Sequence, residues 1–180
     1  MGESISFKKN CIKLRAPEPE DIDLLYIWEN DPEIWNVSNT FTPFSRHSIE
    51  QFVQDSHLDI YQTKQVRWMI DLITDKKVET IGTIDLFDFN PFHKRAGIGI
   101  LIKESDKRGK GYASDALAIL IKYCFRVLQL HQIYCNISKI NRSSIQLFQK
   151  HGFAIAGEKK EWLNQNGEWV DEFLLQLIKS

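Results

Sequence analysis

The run Lys107-Arg108-Gly109-Lys110-Gly111-Tyr112-Ala113 joins an apolar stretch, Gly97 to Lys103, to the strongest amphipathic stretch in the chain. A strand, a basic glycine turn and a helix start in that order make an anion site. The first helical turn leaves backbone N–H groups without partners, and the glycines let a phosphate approach them. Arg108 and Lys110 add charge. No Gly-Lys-Ser/Thr closes the turn, and it lacks the G-x-G-x-x-G spacing, so it is neither a Walker loop nor a dinucleotide fingerprint. A second constellation has the opposite preference. Glu29, Asp31 and Glu33 cluster beside Trp35, and carboxylates next to an aromatic ring suit a cation. A helix terminus also gathers carboxylates, so a structural reading stays open for these three.

Elements that must position these residues can be read from periodicity. Cys11 to Arg15 reads as a strand. A helix opens at Pro19 and stops near Asn30, because Asp31-Pro32 forbids its continuation. Ser45 caps a second helix with Ile49, Phe52, Val53 and Ser56 on one face. Val66 to Ile73 and Val78 to Phe89 read as strands paired around Asp75-Lys76-Lys77. Gly97 to Lys103 is apolar on both faces and should be a central strand. The helix after Gly111 carries a wide stripe from Ala113 to Leu128. Ile133 to Ser138 is a strand, Arg142 to His151 a helix ended by Gly152, and Phe153 to Ile178 a hairpin around Asn166-Gly167. The result is a mixed α/β (α+β) chain with no internal repeat or linker, expected to form a single domain over residues 1–180.

Composition narrows the classes. The chain has 180 residues, 43% of them hydrophobic, enough for one sizeable core and too apolar for disorder. There is no apolar run of about 18 residues to span a membrane, and the N-terminus lacks a secretory signal. Met1-Gly2 with Ser6 formally fits a myristoylation pattern, a match common by chance. Cys11, Cys124 and Cys135 sit at no metal-ligand spacing and read as buried thiols in a reducing compartment; with five scattered histidines, no metal site is expected. Charge is uneven: Ala16 to Thr63 holds ten carboxylates against Arg46 alone, while the remainder holds 22 bases against 14 acids. Either two ligand surfaces of opposite preference or a solvated helix face that is merely acidic accounts for this.

Arg108-x-x-Gly111-x-Ala113 resembles the Q/R-x-x-G-x-G/A signature of the GNAT superfamily of N-acetyltransferases. Asn141-Arg142-Ser143-Ser144-Ile145, leading to Lys150-His151-Gly152-Phe153, resembles that family's second block at a fitting spacing. From Ile12 onward the chain is similar to the branch holding spermidine N-acetyltransferases and ribosomal-protein N-terminal acetyltransferases. The resemblance implies a mostly antiparallel sheet flanked by helices and splayed at an acetyl-CoA site. It places the pantetheine arm on Ile100, Leu101 and Ile102. The pyrophosphate falls on the amides of Arg108, Gly109, Lys110, Gly111, Tyr112 and Ala113, with Asn141, Ser144 and Phe148 near the pantetheine. Outside the resemblance, Ile100 to Ile102 and Phe148 read as core and Asn141 as a helix cap. It also implies a cytoplasmic enzyme with acetyl-CoA and an amine as partners, no nucleic acid or membrane, and a homodimer or larger homo-oligomer as an expectation.

The implied reaction is attack of a primary amine on a thioester. A lysine-like amine of pKa about 10.4 costs roughly 4.6 kcal/mol to deprotonate at pH 7, whereas an α-amine of pKa about 7.7–8.0 costs only about 1 kcal/mol. Two positions depart from the relatives. Phe148 stands where spermidine acetyltransferases carry a tyrosine acid, and Gly97 stands where many carry a glutamate. General acid–base help is worth about 10²–10⁴-fold, so proximity and carbonyl polarisation must carry more of the rate. Asp85 is the expected base, acting through water, because it falls inside an apolar run where burial would raise its pKa. Asp88 and His93 are weaker choices. The leading expectation is an N-acetyltransferase acting on a cationic amine such as a polyamine. An N-terminal acetyltransferase and a catalytically degenerate acyl-CoA-binding module are the alternatives.

Overall fold

The computed structural model, which describes residues 6–38, 42–165 and 167–179, is organised around the strand that the sequence makes apolar on both faces. That strand, Arg95–Ile102, is the fifth in an eight-stranded sheet. In chain order the elements are β1 (Lys8–Lys9), β2 (Ile12–Arg15), α1 (Ile22–Glu29), α2 (Pro32–Ser38), α3 (Arg46–Gln54), α4 (Ile60–Thr63), β3 (Val66–Ile73), β4 (Val78–Asn90), β5 (Arg95–Ile102), α5 (Tyr112–Arg126), β6 (Gln132–Ser138), α6 (Arg142–Lys150), β7 (Ala154–Gln165) and β8 (Glu168–Ile178). The sheet order is β1-β2-β3-β4-β5-β6-β8-β7, and every neighbouring pair is antiparallel except β5 with β6.

Side chains alternate across a sheet, so each central strand feeds two layers. Trp68, Ile70 and Leu72 of β3, Ile84 and Leu86 of β4, and Ala96 and Ile98 of β5 join Leu117, Leu120 and Cys124 of α5 in the larger core. Met69 of β3 instead joins Leu25, Trp28, Ile49 and Val53, so α1 and α3 cover the opposite face. Arg67, Asp85, Phe87, Gly97 and Gly99 share Met69's parity, which aims them toward the α1 and α3 side.

Most elements match the expectations, with local departures. Asp31-Pro32 does end α1, but Pro32 then opens α2, since proline is tolerated in a first helical turn. Ser45 caps α3 as expected, accepting from the Ser48 N–H at 3.0 Å. The short β1 and α4 carried no readable period. Cys124 and Cys135 are buried, while Cys11 is only half-buried. Asn166 of the expected hairpin turn, and Met1-Gly2, lie outside the described residues; Gly167 has a φ of 89°. Among the described residues, no helix is long and apolar enough to cross a membrane.

Candidate active site

Strands β5 and β6 pair only from Arg95 with Gln132 to Gly97 with Tyr134. Beyond Gly97 they part. β5 stays with β4 through Ile102, while β6 stays with β8 through Ser138. The β6-facing edge of β5 from Ile98 to Ile102 is therefore left without a strand partner, and its backbone N–H and C=O groups, apart from the Ile102 carbonyl taken by Arg108, are available to an amide-bearing ligand.

A cleft of about 470 Å³ opens along that edge. It is lined by Ile100, Leu101 and Ile102, by Arg108, Gly109, Gly111, Tyr112 and Ala113, and by Asn141 and Ser144, all expected from the sequence. Gly109 and Gly111 have φ of 73° and 87°, the left-handed region in which a side chain is strained, and Gly111 is the N-cap of α5. The open amides of that 15-residue helix therefore face the cleft. Lys103, Lys107 and Lys150 also line it; Lys107 and Lys150 lie in the two sequence blocks, but none of the three was expected as a ligand contact. Lys103 pairs with Asp31 and Lys107 with Glu79, whereas Lys150 makes no ion pair with a described residue. Ser114 lines the cleft as well, and its hydroxyl shares a 2.8 Å hydrogen bond with His151 Nε2. Burial, with the nearby Lys9 and Lys150 ammonium groups, lowers the His151 pKa.

Three of the expected ligand residues direct their side chains elsewhere. Arg108 turns back, donating through Nε to the Ile102 carbonyl at 2.9 Å and through Nη2 to that of Lys103 at 2.8 Å; its side chain braces the turn. Lys110 is exposed and does not line the cleft. Phe148 is 3% exposed, packs edge-on against Phe153 at 5.0 Å and belongs to the core rather than the cleft wall. Asn141 does both of the things expected of it: it lines the cleft, and its Oδ1 accepts from the Ser144 N–H at 3.2 Å as the cap of α6.

A second cavity of about 380 Å³ lies on the α1 side and shares Ile34, Ile100 and Leu101 with the cleft. Its walls include Trp28, Phe44, Phe87 and Gly99, with Glu29, Arg67, Asp85 and Asn136 as polar groups. Of the four expected amine contacts, only Glu29 lines it. Asp31 is held by Lys103 at the end of β5, and that ammonium, with the Glu33 N–H, lowers its pKa. Glu33 faces the cleft, and Trp35 donates from Nε1 to the Glu29 carbonyl at 2.9 Å.

Asp85 lines this cavity, but not in apolar burial. Its side chain is 28% exposed, and both its oxygens accept from Arg67, at 2.7 and 3.0 Å. Arg67 Nη1 also donates to Glu29 Oε1. Strand parity, which sets Thr83, Asp85 and Phe87 against Ile84 and Leu86, explains the departure. Asp88 is exposed and accepts from the Tyr134 hydroxyl at 3.1 Å, and His93 is exposed in the β4–β5 turn. Arg67 and Asn136 were missed. Each is a polar residue set among apolar ones in its strand, a signal available in the sequence but silent about direction.

A cationic cleft on an opened strand edge therefore meets a cavity with two carboxylates. Residues 12–154 match the model of the acetyltransferase (GNAT) domain. The chain belongs to the GNAT acetyltransferase family. Among its relatives, the spermidine N(1)-acetyltransferase of Escherichia coli (strain K12) is 27% identical over 163 residues, covering 89% of this chain and 82% of that enzyme. The spermidine N-acetyltransferase from Vibrio cholerae, solved with CoA and spermine, superposes with a TM-score of 0.82 at 24% identity, covering 93% of this chain and 95% of that one. A dodecameric structure of the Vibrio cholerae enzyme, in an intermediate state, gives a TM-score of 0.74 at 23% identity, covering 93% and 94%. The GNAT fold is thus shared across most of this acetyltransferase's length.

Proposed function

We propose that this acetyltransferase, acting as one domain, moves the acetyl group of acetyl-CoA to a primary amine of a small cationic molecule of polyamine type. The observation that carries the reading is the meeting of the two cavities at Ile100 and Leu101. On one side lie the α5 amides, Lys107 and Lys150, suited to a polyanion; on the other lie carboxylates among aromatic rings, suited to an ammonium on a methylene chain. The relatives' acceptor, spermidine, belongs to that class.

Acetyl-CoA supplies the thioester. In this reading its amide-bearing arm follows the open edge of β5, and the amides from Arg108 to Ala113 take the pyrophosphate. Asn141 keeps Nδ2 for the arm while Oδ1 caps α6. The amine enters past Trp28 and Phe44. Its nitrogen forms the new bond to the acetyl carbon, the carbon–sulfur bond breaks, and one proton leaves the amine. Glu29 Oε2, which has no hydrogen bond among the described residues, receives the acceptor as an ammonium; water takes the proton that frees the nitrogen to attack and then the second proton released as the amide forms. Asp85 serves this step through Arg67. With Phe148 in the core, the sulfur leaves as a thiolate, which a thiol of pKa about 8.5 allows. Proximity then supplies the larger share of the rate.

Release of CoA thiol from acetyl-CoA, with spermidine, spermine, 1,4-diaminobutane and basic N-terminal peptides offered in parallel, tests this. Turnover on the polyamines and not on the peptides is expected. Turnover on peptides alone makes it an N-terminal acetyltransferase; acetyl-CoA binding without turnover makes it a binding module. We further propose a cytoplasmic homo-oligomer, like the dodecameric Vibrio cholerae relative in its assembly; sedimentation at a single-protomer mass overturns the second part.

A further inference from the structure

The charge of the acceptor cavity is set by a residue that is neither ligand-like nor acidic. Arg67 of β3 stands in register opposite Asp85 of β4 and grips it with two parallel hydrogen bonds, while its third nitrogen reaches Glu29 at the end of α1. The guanidinium also lies over the Phe52 ring, 5.3 Å from its centroid. Its side chain is 21% exposed. Burial works against the charge, but contact with Asp85 and then Glu29 outweighs it and raises the pKa above the ordinary arginine value. The cavity therefore holds a permanent cation between two carboxylates, and its polar wall carries one net negative charge.

We infer that Arg67 determines the charge class of acceptor: it holds the cavity at one net negative charge, so that one ammonium is accepted there and a second is disfavoured. This rests on the reading that the cavity takes the acceptor amine. Chemistry gives the arrangement a purpose. Two bare carboxylates would bind a polycation tightly, but they would also stabilise the reacting nitrogen as ammonium, the form that cannot attack. Cancelling one of them keeps attraction for the acceptor while leaving more of the amine neutral. Guanidinium is suited to this because it stays protonated throughout the working pH range. Asp85, saturated by Arg67, fixes the guanidinium; Glu29, bound through one oxygen, keeps the other for the incoming amine.

A purely structural role, as a tie between β3 and α1, makes a different prediction, and a pair of variants separates the two. Binding of spermidine and of 1,4-diaminobutane to the full-length, CoA-saturated protein is measured by titration calorimetry. Arg67→Met takes the wall to two negative charges, and its spermidine Kd should fall roughly ten-fold. That is the change one unit charge at about 6 Å gives with an effective dielectric near 40. Glu29→Gln takes the wall to neutral, and its Kd should rise by a similar factor. Arg67→Lys, which keeps the charge, should stay within about three-fold of wild type. The Arg67→Met gain should be larger for spermidine than for the diamine and should shrink as salt is raised. Opposite shifts in the two variants are the expected result; shifts in one direction, or none, overturn the inference while leaving the acceptor reading intact. Amine binding by Arg67→Met but not by wild type overturns the acceptor reading and the inference with it, because Arg67 would then exclude the amine. No binding by any variant overturns both. Should Arg67→Met lose CoA binding, Arg67→Gln replaces it, with the same expected direction.

Discussion

The ring of Phe87 fills the space above Gly97: a Cβ on Gly97 would lie 2.3 Å from Cε2 of that ring. The two residues are cross-strand neighbours, and Gly97 is the last position at which β5 still pairs with β6. The position at which the family resemblance led us to expect a glutamate is therefore occupied from the neighbouring strand. Gly99, two residues on, differs: its Cβ would meet Phe87 at an ordinary 3.7 Å. The ring covers the fork where the strands part and supplies one apolar wall of the second cavity.

Restoring a carboxylate at this position should fail alone and succeed in company. Gly97→Glu is expected to destabilise the fold by about 1–3 kcal/mol through overpacking. In a Phe87→Ala background the same change should cost clearly less, with a coupling energy of at least about 1 kcal/mol. Urea unfolding of the four proteins gives the cycle. Additive costs would mean that the ring moves aside freely.

The two duties of Asn141 can be separated. Asn141→Asp keeps an oxygen for the α6 cap, since aspartate caps as well as asparagine, so thermal stability should change by less than about 0.5 kcal/mol. The carboxylate loses the Nδ2 donor and adds negative charge to the cleft, so the KM for acetyl-CoA should rise at least ten-fold. Asn141→Ala should raise KM as well and also cost about 1 kcal/mol of stability. Unchanged KM in Asn141→Asp would leave the residue as a cap only.

Lys150 lines the cleft and makes no ion pair with a described residue. Lys150→Ala should therefore leave stability within about 0.5 kcal/mol of wild type, as for most surface substitutions. It should raise the KM for acetyl-CoA several-fold at low salt, with little change in kcat. At 0.5 M salt the difference should shrink, because exposed charges are screened over a few ångströms there. A salt-independent effect would contradict the electrostatic role.

Acid stability should depend on one buried fork. Arg15 of β2 donates to Asp21 at 2.5 and 2.8 Å, to Asp71 at 2.8 Å and to Thr80 at 3.0 Å. Burial pushes the Asp21 carboxyl up, but the Arg15 fork and the Glu18 N–H outweigh it and hold the carboxyl below its usual value. A depressed folded pKa contributes stability above the unfolded value, near 3.9, and loses it as pH falls through the folded one. Wild-type stability should fall below about pH 4. Asp21→Asn should be weaker at pH 7 by about 1.5–3 kcal/mol, the range for hydrogen bonds to charged groups, and flatter on acidification. Urea midpoints from pH 7 to pH 3 check both points.

Local chemistry made much of this protein legible from the sequence alone. The period of β3 to β6, the stripe of α5, the Ser45 and Asn141 caps and the glycine turn from Arg108 to Ala113 are decided within a few residues of chain, by propensity, capping and burial pattern. With the Asn141–Phe153 block, they carried the family and the cofactor side of the site. The side of the site that we propose takes the acceptor was decided by contacts between distant segments. Arg67 meets Asp85 because β3 and β4 pair in one register, and it meets Glu29 because α1 packs on that face of the sheet. Nothing within a few residues of Asp85 says that a guanidinium will take both its oxygens, nor within a few residues of Phe148 that its ring will turn into the core beside Phe153. Gly97 reads as a missing glutamate until Phe87 is seen above it. Register and packing couple residues through space, and a one-residue slip in β4 would have turned Asp85 and Phe87 to the other face.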